Sequence, residues 1–322
     1  MTWEKVFLSQ GEVRPIWRCL LSLAMIVLAY VFVGILLGVV LGATGLSPER
    51  LTVLFWVNFL MLPVLLGIFQ LLVGAFDRRP LGSVGLAFFP RWLRELGAGL
   101  GLGAAMMLIV AALEMLLRLA RFQASAAAPP QLLGGGLLIG VGLLVAAANE
   151  ELIFRGYPFQ RLVDSIGPVP AVVLSSVLFG VVHLGNPSHT WLSTLNTMIV
   201  GIPLAIAYLR TRALWMPIGI HFAWNFLQGY GLGLPVSGVV LPTALFQSRV
   251  SGASWLTGAA YGPEAGVLTT GVMAAAALYL AWAPHLRVSG AMKALLRSSP
   301  ASNASAPGEK PPPGSGPPSE AL

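Results

Sequence analysis

The stretch "LLGGGLLIGVGLLVAAANEELIFRGY", residues 132–157, holds a long uncharged run that ends in two adjacent acids and, soon after, an arginine. An apolar helix of about 20 residues is long enough to cross the ~30 Å hydrocarbon core of a bilayer. Ionisable side chains in such a helix are costly, and by default they indicate a functional site. The stretch therefore predicts a transmembrane helix that carries Glu150, Glu151 and Arg155 near its end.

The composition extends this interpretation to the whole chain. Of the 322 residues, 56% are hydrophobic and only 10% are charged, with a mean hydropathy of +0.80, whereas soluble domains carry about 25% charged residues. Lipid offers no partner to an unpaired backbone group, so each span must be helical. We expect an all-α polytopic membrane bundle of about eight transmembrane helices, at residues 19–43, 51–76, 96–117, 131–154, 168–184, 192–209, 214–232 and 266–284.

The basic residues predict the orientation. Most of the 19 Lys and Arg residues lie in the two termini and in alternate loops, whereas the other loops hold only Arg50, Arg118, Arg121 and Arg249. Positive charge gathers on the cytoplasmic side, so both termini should be cytoplasmic and the number of spans even. The net charge of +7 is scattered rather than arranged as a stripe, which excludes nucleic acid as a partner and leaves the lipid bilayer.

Glu151 and Arg155 lie four residues apart, so on a helix they share a face and can form an ion pair. Glu150 points about 100° away from them on a helix with 3.6 residues per turn and stays free for another task, such as that of a general base. A second interpretation remains open at this point. The helix has simply reached the headgroups, where Glu and Arg cost little.

Two later apolar segments carry further polar residues. His183 ends the run "FGVVH", and His221 and Asn225 lie four apart in "HFAWN", on one helical face. Each has a structural alternative, a hydrogen bond between helices. Together with Glu150, these residue types can activate water and stabilise an oxyanion.

Glu114 and Arg118 form another acid–base pair at a spacing of four residues. We expect this pair to be self-contained and structural, near the outer face. The other histidines, His189 and His285, receive no function. The single cysteine, Cys19, excludes an internal disulfide and a multi-cysteine metal site.

The three polar segments resemble the motifs of a known family. EExxxR (Glu150, Glu151, Arg155), FxxxH (Phe179, His183) and HxxxN (His221, Asn225), in this order on successive helices, are similar to those of the CPBP intramembrane proteases. This family is also called the Abi or type II CAAX prenyl endopeptidase family. The likeness covers about residues 140–230.

The resemblance implies an endopeptidase that cuts a membrane-associated protein or peptide in or beside the bilayer. It also implies that Glu150 and His183 activate water and that His221 and Asn225 stabilise the oxyanion, with Glu151, Arg155 and Phe179 in support. We expect no required cofactor. Zinc is the alternative, and its ligands would then be Glu150, His183 and His221.

On this interpretation the chain divides into three parts. Residues 1–128 are an N-terminal three-span region, residues 129–288 a CPBP/Abi-like catalytic membrane domain, and residues 289–322 a disordered Pro/Ser/Gly-rich cytoplasmic tail. The expected location is the cell (inner) membrane. Two other functions stay open, a non-catalytic scaffold or immunity-type protein and a proton- or ion-coupled transporter.

The catalytic interpretation requires Glu150 and His183 to lie at the same depth in the membrane. From Pro168 to His183 is about 22 Å of helix at 1.5 Å per residue, yet Glu150 lies near the opposite end of its own span. The two can meet if the fourth helix begins late, after the glycines at 134–136, and runs on past Arg155. They can also meet if the fifth span begins inside a water-filled cavity.

Overall fold

The computed structural model describes residues 3–297, except for the side chain of Arg50. Helices make up most of the described chain. They are α1 (Trp3–Phe7), α2 (Pro15–Thr44), α3 (Arg50–Leu72), α4 (Trp92–Leu116), α5 (Pro129–Arg155), α6 (Tyr157–Ile166), α7 (Pro168–Val182), α8 (Trp191–Thr211), α9 (Trp215–Phe226), α10 (Ser254–Thr257), α11 (Val267–Trp282) and α12 (Gly290–Arg297).

Two small antiparallel sheets, which the sequence did not predict, lie between the helices. Strand β1 (Leu8–Ser9) pairs with β2 (Glu12–Val13), and β3 (Ala120–Ala124) pairs with β4 (Phe246–Val250). The second sheet joins the loop after α4 to the loop before α10. It therefore ties together two segments that are far apart in the chain.

The helical membrane bundle is confirmed. Six helical segments are long and apolar enough to cross a membrane, namely Pro15–Thr44, Leu51–Asp77, Trp92–Leu116, Pro129–Ile166, Pro168–Gly185 and Trp191–Thr211. The last two predicted spans are helical as well but shorter. Helix α9 is extended by a π-helical turn, Leu227–Gly231, and α11 has 16 residues. The count of eight spans stays a prediction.

A kink at Gly156 separates α5 from α6. A Cβ atom at Gly156 would overlap with the carbonyl oxygen of Leu152, so only glycine fits this bend. Pro158, just after it, has no N–H to donate to the carbonyl of Phe154, four residues earlier. The hydroxyl of Ser175 on α7 donates to that carbonyl instead, over 2.9 Å. The kink is thus satisfied by the neighbouring helix.

The path of the chain after this kink explains how Glu150 and His183 reach the same depth. Helix α5 begins at Pro129, before the three glycines, so the condition of a late start is not met; the helical path does continue past Arg155, as α6. The 10 residues of α6 lead away from the end of α5, and the 15 residues of α7, about 22 Å of helix, return past Phe154, to whose carbonyl Ser175 donates. His183 therefore comes back to within a few ångströms of the level of Glu150.

Helix α9 is held close to α4 by glycine. Cβ atoms at Gly99 and Gly103 of α4 would overlap with the carbonyl oxygens of Met216 and Ile220, and one at Gly219 would lie 2.6 Å from the carbonyl oxygen of Leu96. Small residues allow such close approach between membrane helices. The contact fixes the rotation of α9 and hence the direction of His221.

The expected pair of Glu114 with Arg118 is wrong. Helix α4 ends at Leu116, and Arg118 has a positive φ of 57° and an exposed side chain. Because the helix does not reach Arg118, the spacing of four residues no longer places the two side chains on one face. Glu114 is buried, and neither of its carboxylate oxygens has a hydrogen-bond partner within the described chain.

The predicted tail begins in an ordered segment. Residues 290–297 form α12, whose Met292 packs in a small apolar cluster with Phe89 and Ala213. The remainder of the tail lies outside the described residues. The division into residues 1–128, 129–288 and 289–322 stays a prediction.

Candidate active site

Three predicted site residues meet on three different helices. The Oε2 atom of Glu150, near the end of α5, lies 3.7 Å from Nε2 of His183 and 3.8 Å from Nε2 of His221. His183 caps the end of α7, and His221 lies in the middle of α9. One carboxylate oxygen is therefore flanked by two imidazole nitrogens.

The tautomer of His183 follows from its backbone contact. Its Nδ1 lies 2.6 Å from the carbonyl oxygen of Phe179, which can only accept a hydrogen bond. Nδ1 must therefore carry the proton, and in the neutral ring Nε2 presents a lone pair toward Glu150. The ring also packs against that of Phe179, with centroids 4.7 Å apart.

His221 is oriented by the second glutamate. Oε1 of Glu151 accepts from Nδ1 of His221 over 2.9 Å and from Nη1 of Arg155 over 3.0 Å. A carboxylate behind an imidazole fixes which nitrogen faces the reaction site. Glu151 thus turns Nε2 of His221 toward Glu150, and the predicted ion pair with Arg155 is present.

Arg155 is completely buried, so its surroundings must satisfy a charge inside the bundle. Besides Glu151, it contacts the carbonyl oxygen of Gly201, which accepts from Nη2 over 3.2 Å, and the ring of Phe179, whose centroid is 4.6 Å from its Cζ. The guanidinium therefore joins α5, α7 and α8 directly behind the histidines.

Glu150 differs from Glu151 in its exposure. The Glu150 side chain is 31% exposed, whereas that of Glu151 is fully buried. Oε2 of Glu150 is itself buried, and within the described chain no group lies at hydrogen-bonding distance from it. A carboxylate with one accessible side and two imidazoles beside it can hold and deprotonate a water molecule.

Asn225 follows His221 by one turn on the same face of α9 and is half-buried. Its side-chain amide makes no hydrogen bond within the described chain, and it is not fully buried. The amide is thus accessible as a hydrogen-bond donor.

Metal binding can be judged from the donor atoms. One carboxylate and two imidazoles are the donor types of many catalytic zinc sites. Within residues 3–297, however, no group of three or more His, Cys, Asp or Glu side chains has a geometry that could hold a metal ion. The mechanism proposed below therefore involves no zinc, and a metal-free reaction stays a prediction.

One polar residue at the site was missed. Glu264 lies in the turn Pro263–Ala265, just before α11, and its carboxylate is hydrogen-bonded to Ser237, whose loop packs against Pro187 in the segment after His183. A loop residue that returns to the site has no periodic pattern in the sequence, so only the fold could show its position.

Comparison with known proteins supports the resemblance over part of the chain. Residues 132–227 match the model of the family described as type II CAAX prenyl endopeptidase Rce1-like. A protein of Bacillus subtilis (strain 168), named "Putative membrane peptidase YdiL", is 36% identical over 89 residues. That match covers 28% of this chain and 34% of the relative, so the chain spans about a third of the relative's length. No solved structure matches.

Proposed function

We propose that this multi-pass membrane protein is an endopeptidase that hydrolyses a peptide bond in or beside the bilayer. The observation that carries the proposal is the position of Oε2 of Glu150 between Nε2 of His183 and Nε2 of His221. The matched segment, residues 132–227, contains all four proposed catalytic residues and supports the same activity.

The reaction begins with water bound between Glu150 and His183. Glu150 takes a proton from this water, and the hydroxide oxygen forms a bond to the carbonyl carbon of the substrate. The carbonyl oxygen becomes an oxyanion, which accepts hydrogen bonds from protonated Nε2 of His221 and from the amide of Asn225. When the carbon–nitrogen bond breaks, Glu150 returns its proton to the leaving amine.

The second glutamate and the arginine act indirectly. Glu151 holds His221 through Nδ1, and Arg155 holds Glu151. We therefore assign Glu151, Arg155 and Phe179 as positioning residues. The substrate is a membrane-associated protein or peptide. The protein resides in the cell (inner) membrane with both termini in the cytoplasm.

Replacement of Glu150 tests the proposal. Glu150→Gln keeps the size of the side chain but removes the base, and loss of a general base lowers rates by about 10²–10⁴-fold. The measurement compares protein fragments in membranes of cells that express the wild type or the variant, followed by hydrolysis of the identified peptides by purified protein. Glu4→Gln, at an exposed position of α1, is the matched control.

The same experiment separates the alternative functions. A scaffold or immunity-type protein would produce no fragments and lose no activity with Glu150→Gln. A transporter would lose flux without any cleaved product. Equal fragment patterns from wild type and variant would contradict the peptidase proposal, provided that both proteins are folded and present in equal amounts.

Metal dependence has its own test. The metal-free mechanism predicts full hydrolysis after exhaustive treatment with a chelator and no gain on addition of zinc. Activity that is lost on chelation and restored by zinc would overturn this part of the proposal.

A further inference from the structure

Glu264 is held in place from two directions. Its Oε2 accepts from the backbone N–H of Ser237 over 2.6 Å and from the hydroxyl of Ser237 over 2.9 Å. Its backbone carbonyl accepts from the amide of Asn196 on α8 over 2.8 Å. The carboxylate therefore has a defined position, although it belongs to a loop outside the matched segment.

This position is close to the catalytic residues. A Cβ atom at Gly262, two residues before Glu264, would lie 3.1 Å from Nε2 of Gln228, three residues beyond Asn225, so the turn of Glu264 packs against the end of the α9 segment. The loop that carries Ser237 is pressed against the segment after His183, since a Cβ atom at Gly238 would overlap with the carbonyl oxygen of Pro187. The two loops that hold Glu264 thus pack against the segment after His183 and against the segment after Asn225.

The other carboxylate oxygen, Oε1, takes no part in the contact with Ser237. It accepts no hydrogen bond within the described residues and is not fully buried. The residue as a whole is half-buried. In the described part of the chain, no Lys or Arg pairs with this carboxylate.

Among the described residues, no Lys or Arg balances the charge of this carboxylate. Burial raises the pKa of Glu264 above its ordinary value, and the hydrogen bonds from Ser237 oppose this rise only in part. A cation placed next to Oε1 would stabilise the ionised form. A cleft of about 320 Å³ is lined by Gly238, the neighbour of Ser237 in the chain, together with Pro187 and a second acid, Glu49.

We propose that Glu264 forms a subsite for a positively charged group of the substrate, the ammonium of Lys or the guanidinium of Arg, beside the bond that is cut. This inference rests on the proposed peptidase function and adds a substrate class to it. Ser237 holds Oε2, while Oε1 accepts hydrogen bonds from the cation.

Binding and hydrolysis of matched peptides test this subsite. The probes are internally quenched apolar peptides that differ only in having Lys, Gln or Glu at one position, moved stepwise along the sequence. Full-length protein in lipid nanodiscs is assayed for binding by fluorescence anisotropy and for hydrolysis by dequenching. At one position, we expect Lys to be preferred over Gln by about tenfold, which corresponds to about 1.4 kcal/mol, since a hydrogen bond between two charged groups is stronger than one to a neutral amide.

Variants assign this preference to Glu264. Glu264→Gln should lower the Lys-to-Gln ratio to about one while hydrolysis of the Gln peptide is retained. Glu4→Gln, with the same loss of charge at an exposed site, should keep the wild-type ratio. Ser237→Gly removes the hydroxyl, one of the two donors to Oε2. The backbone φ at this position is 48°, which glycine tolerates, so the fold should be kept. This variant should lower the Lys-to-Gln ratio only in part.

The outcomes separate this inference from the proposed function. Hydrolysis with no charge preference, or a preference that Glu264→Gln does not alter, overturns the subsite and leaves the peptidase standing. Binding preference for Lys that depends on Glu264, without hydrolysis of any peptide, overturns the peptidase and leaves the subsite. Loss of all hydrolysis in folded Glu264→Gln also overturns the subsite, because the residue then serves catalysis. If Glu264→Gln does not fold, Ser237→Gly decides.

Discussion

At the scale of single residues, one carboxylate oxygen of Glu151 accepts two hydrogen bonds. Oε1 of Glu151 accepts from both Arg155 and His221, so the buried ion pair and the orientation of the imidazole depend on the same atom. The spacing of Glu151 and Arg155 in the sequence predicts their pairing, because both lie within one helix. The partner on α9 has no such local signal. It follows only from the close packing of α9 on α4.

Removal of Arg155 should therefore be costly. In Arg155→Met, the carboxylate of Glu151 stays buried without its cation, and breaking a buried pair costs about 3–5 kcal/mol. The expected result is a marked fall in the midpoint of thermal unfolding in detergent. Arg94→Met, at an exposed position of α4, should change the midpoint little. A loss below about 1 kcal/mol would contradict the importance of this pair, because exposed ion pairs contribute no more than that.

Glu264 should make stability depend on pH. Burial raises its pKa in the folded protein above the ordinary value of 4.5, so its protonated form is favoured by folding. The stability that this group contributes is fully present below pH 4.5 and is lost as the pH rises through the raised pKa. Glu264→Gln removes this loss.

The difference in unfolding midpoint, variant minus wild type, should therefore increase as the pH rises from about 4.5 to 8. The measurement is thermal unfolding in detergent at a series of pH values, with Glu4→Gln for comparison. A difference that stays constant or decreases with pH would show that burial does not raise this pKa.

At the scale of elements, a single glycine joins two helices that the sequence predicts as one span and a loop. The apolar run of α5 is clear from composition, but α6 was not predicted as a helix. Its residues, Tyr157–Ile166, are mostly polar on one side and too few for a span. The kink follows from tertiary contact, since the hydroxyl of Ser175 replaces the hydrogen bond that Pro158 cannot make.

A methyl group at this kink should disturb the site. In Gly156→Ala, the new Cβ would overlap with the Leu152 carbonyl oxygen, so α5 and α6 must shift and Glu150 moves relative to His183. A displacement of about 1 Å in an active site can cost about 10²-fold in rate. Gly134→Ala in the same helix is the control, because no atom lies within 4 Å of its added Cβ. Equal hydrolysis rates for the two variants would show that the kink does not position Glu150.

At the scale of the whole molecule, composition was sufficient to predict a helical membrane bundle, and each of the eight predicted segments is helical. It could not predict which helices are long enough to cross, since α9 ends at Phe226 and continues only as a π-helical turn, and α11 has only 16 residues. It could not predict the two small sheets either. Their strands pair across more than a hundred residues in one case and are too short for a clear alternation in the other.

Labelling of single cysteines tests the predicted orientation in the membrane. In a Cys19→Ala background, Ser9→Cys and Ser251→Cys place single thiols at exposed positions on opposite sides of the predicted topology. An impermeant maleimide should label Ser251→Cys in intact cells and Ser9→Cys only in inverted vesicles, because the basic N-terminus faces the cytoplasm. Labelling of both in intact cells would contradict the predicted orientation.

The return of α7 beside α6 has a consequence for related chains of different length. The level of His183 depends on the difference between two helix lengths, not on either length alone. One residue added to α6 or to α7 would displace the imidazole by about 1.5 Å along that helix and also turn it by about 100° around the helix axis. Insertions and deletions in these two helices should therefore be poorly tolerated, even in pairs that keep the level, because the imidazole would turn away from Glu150.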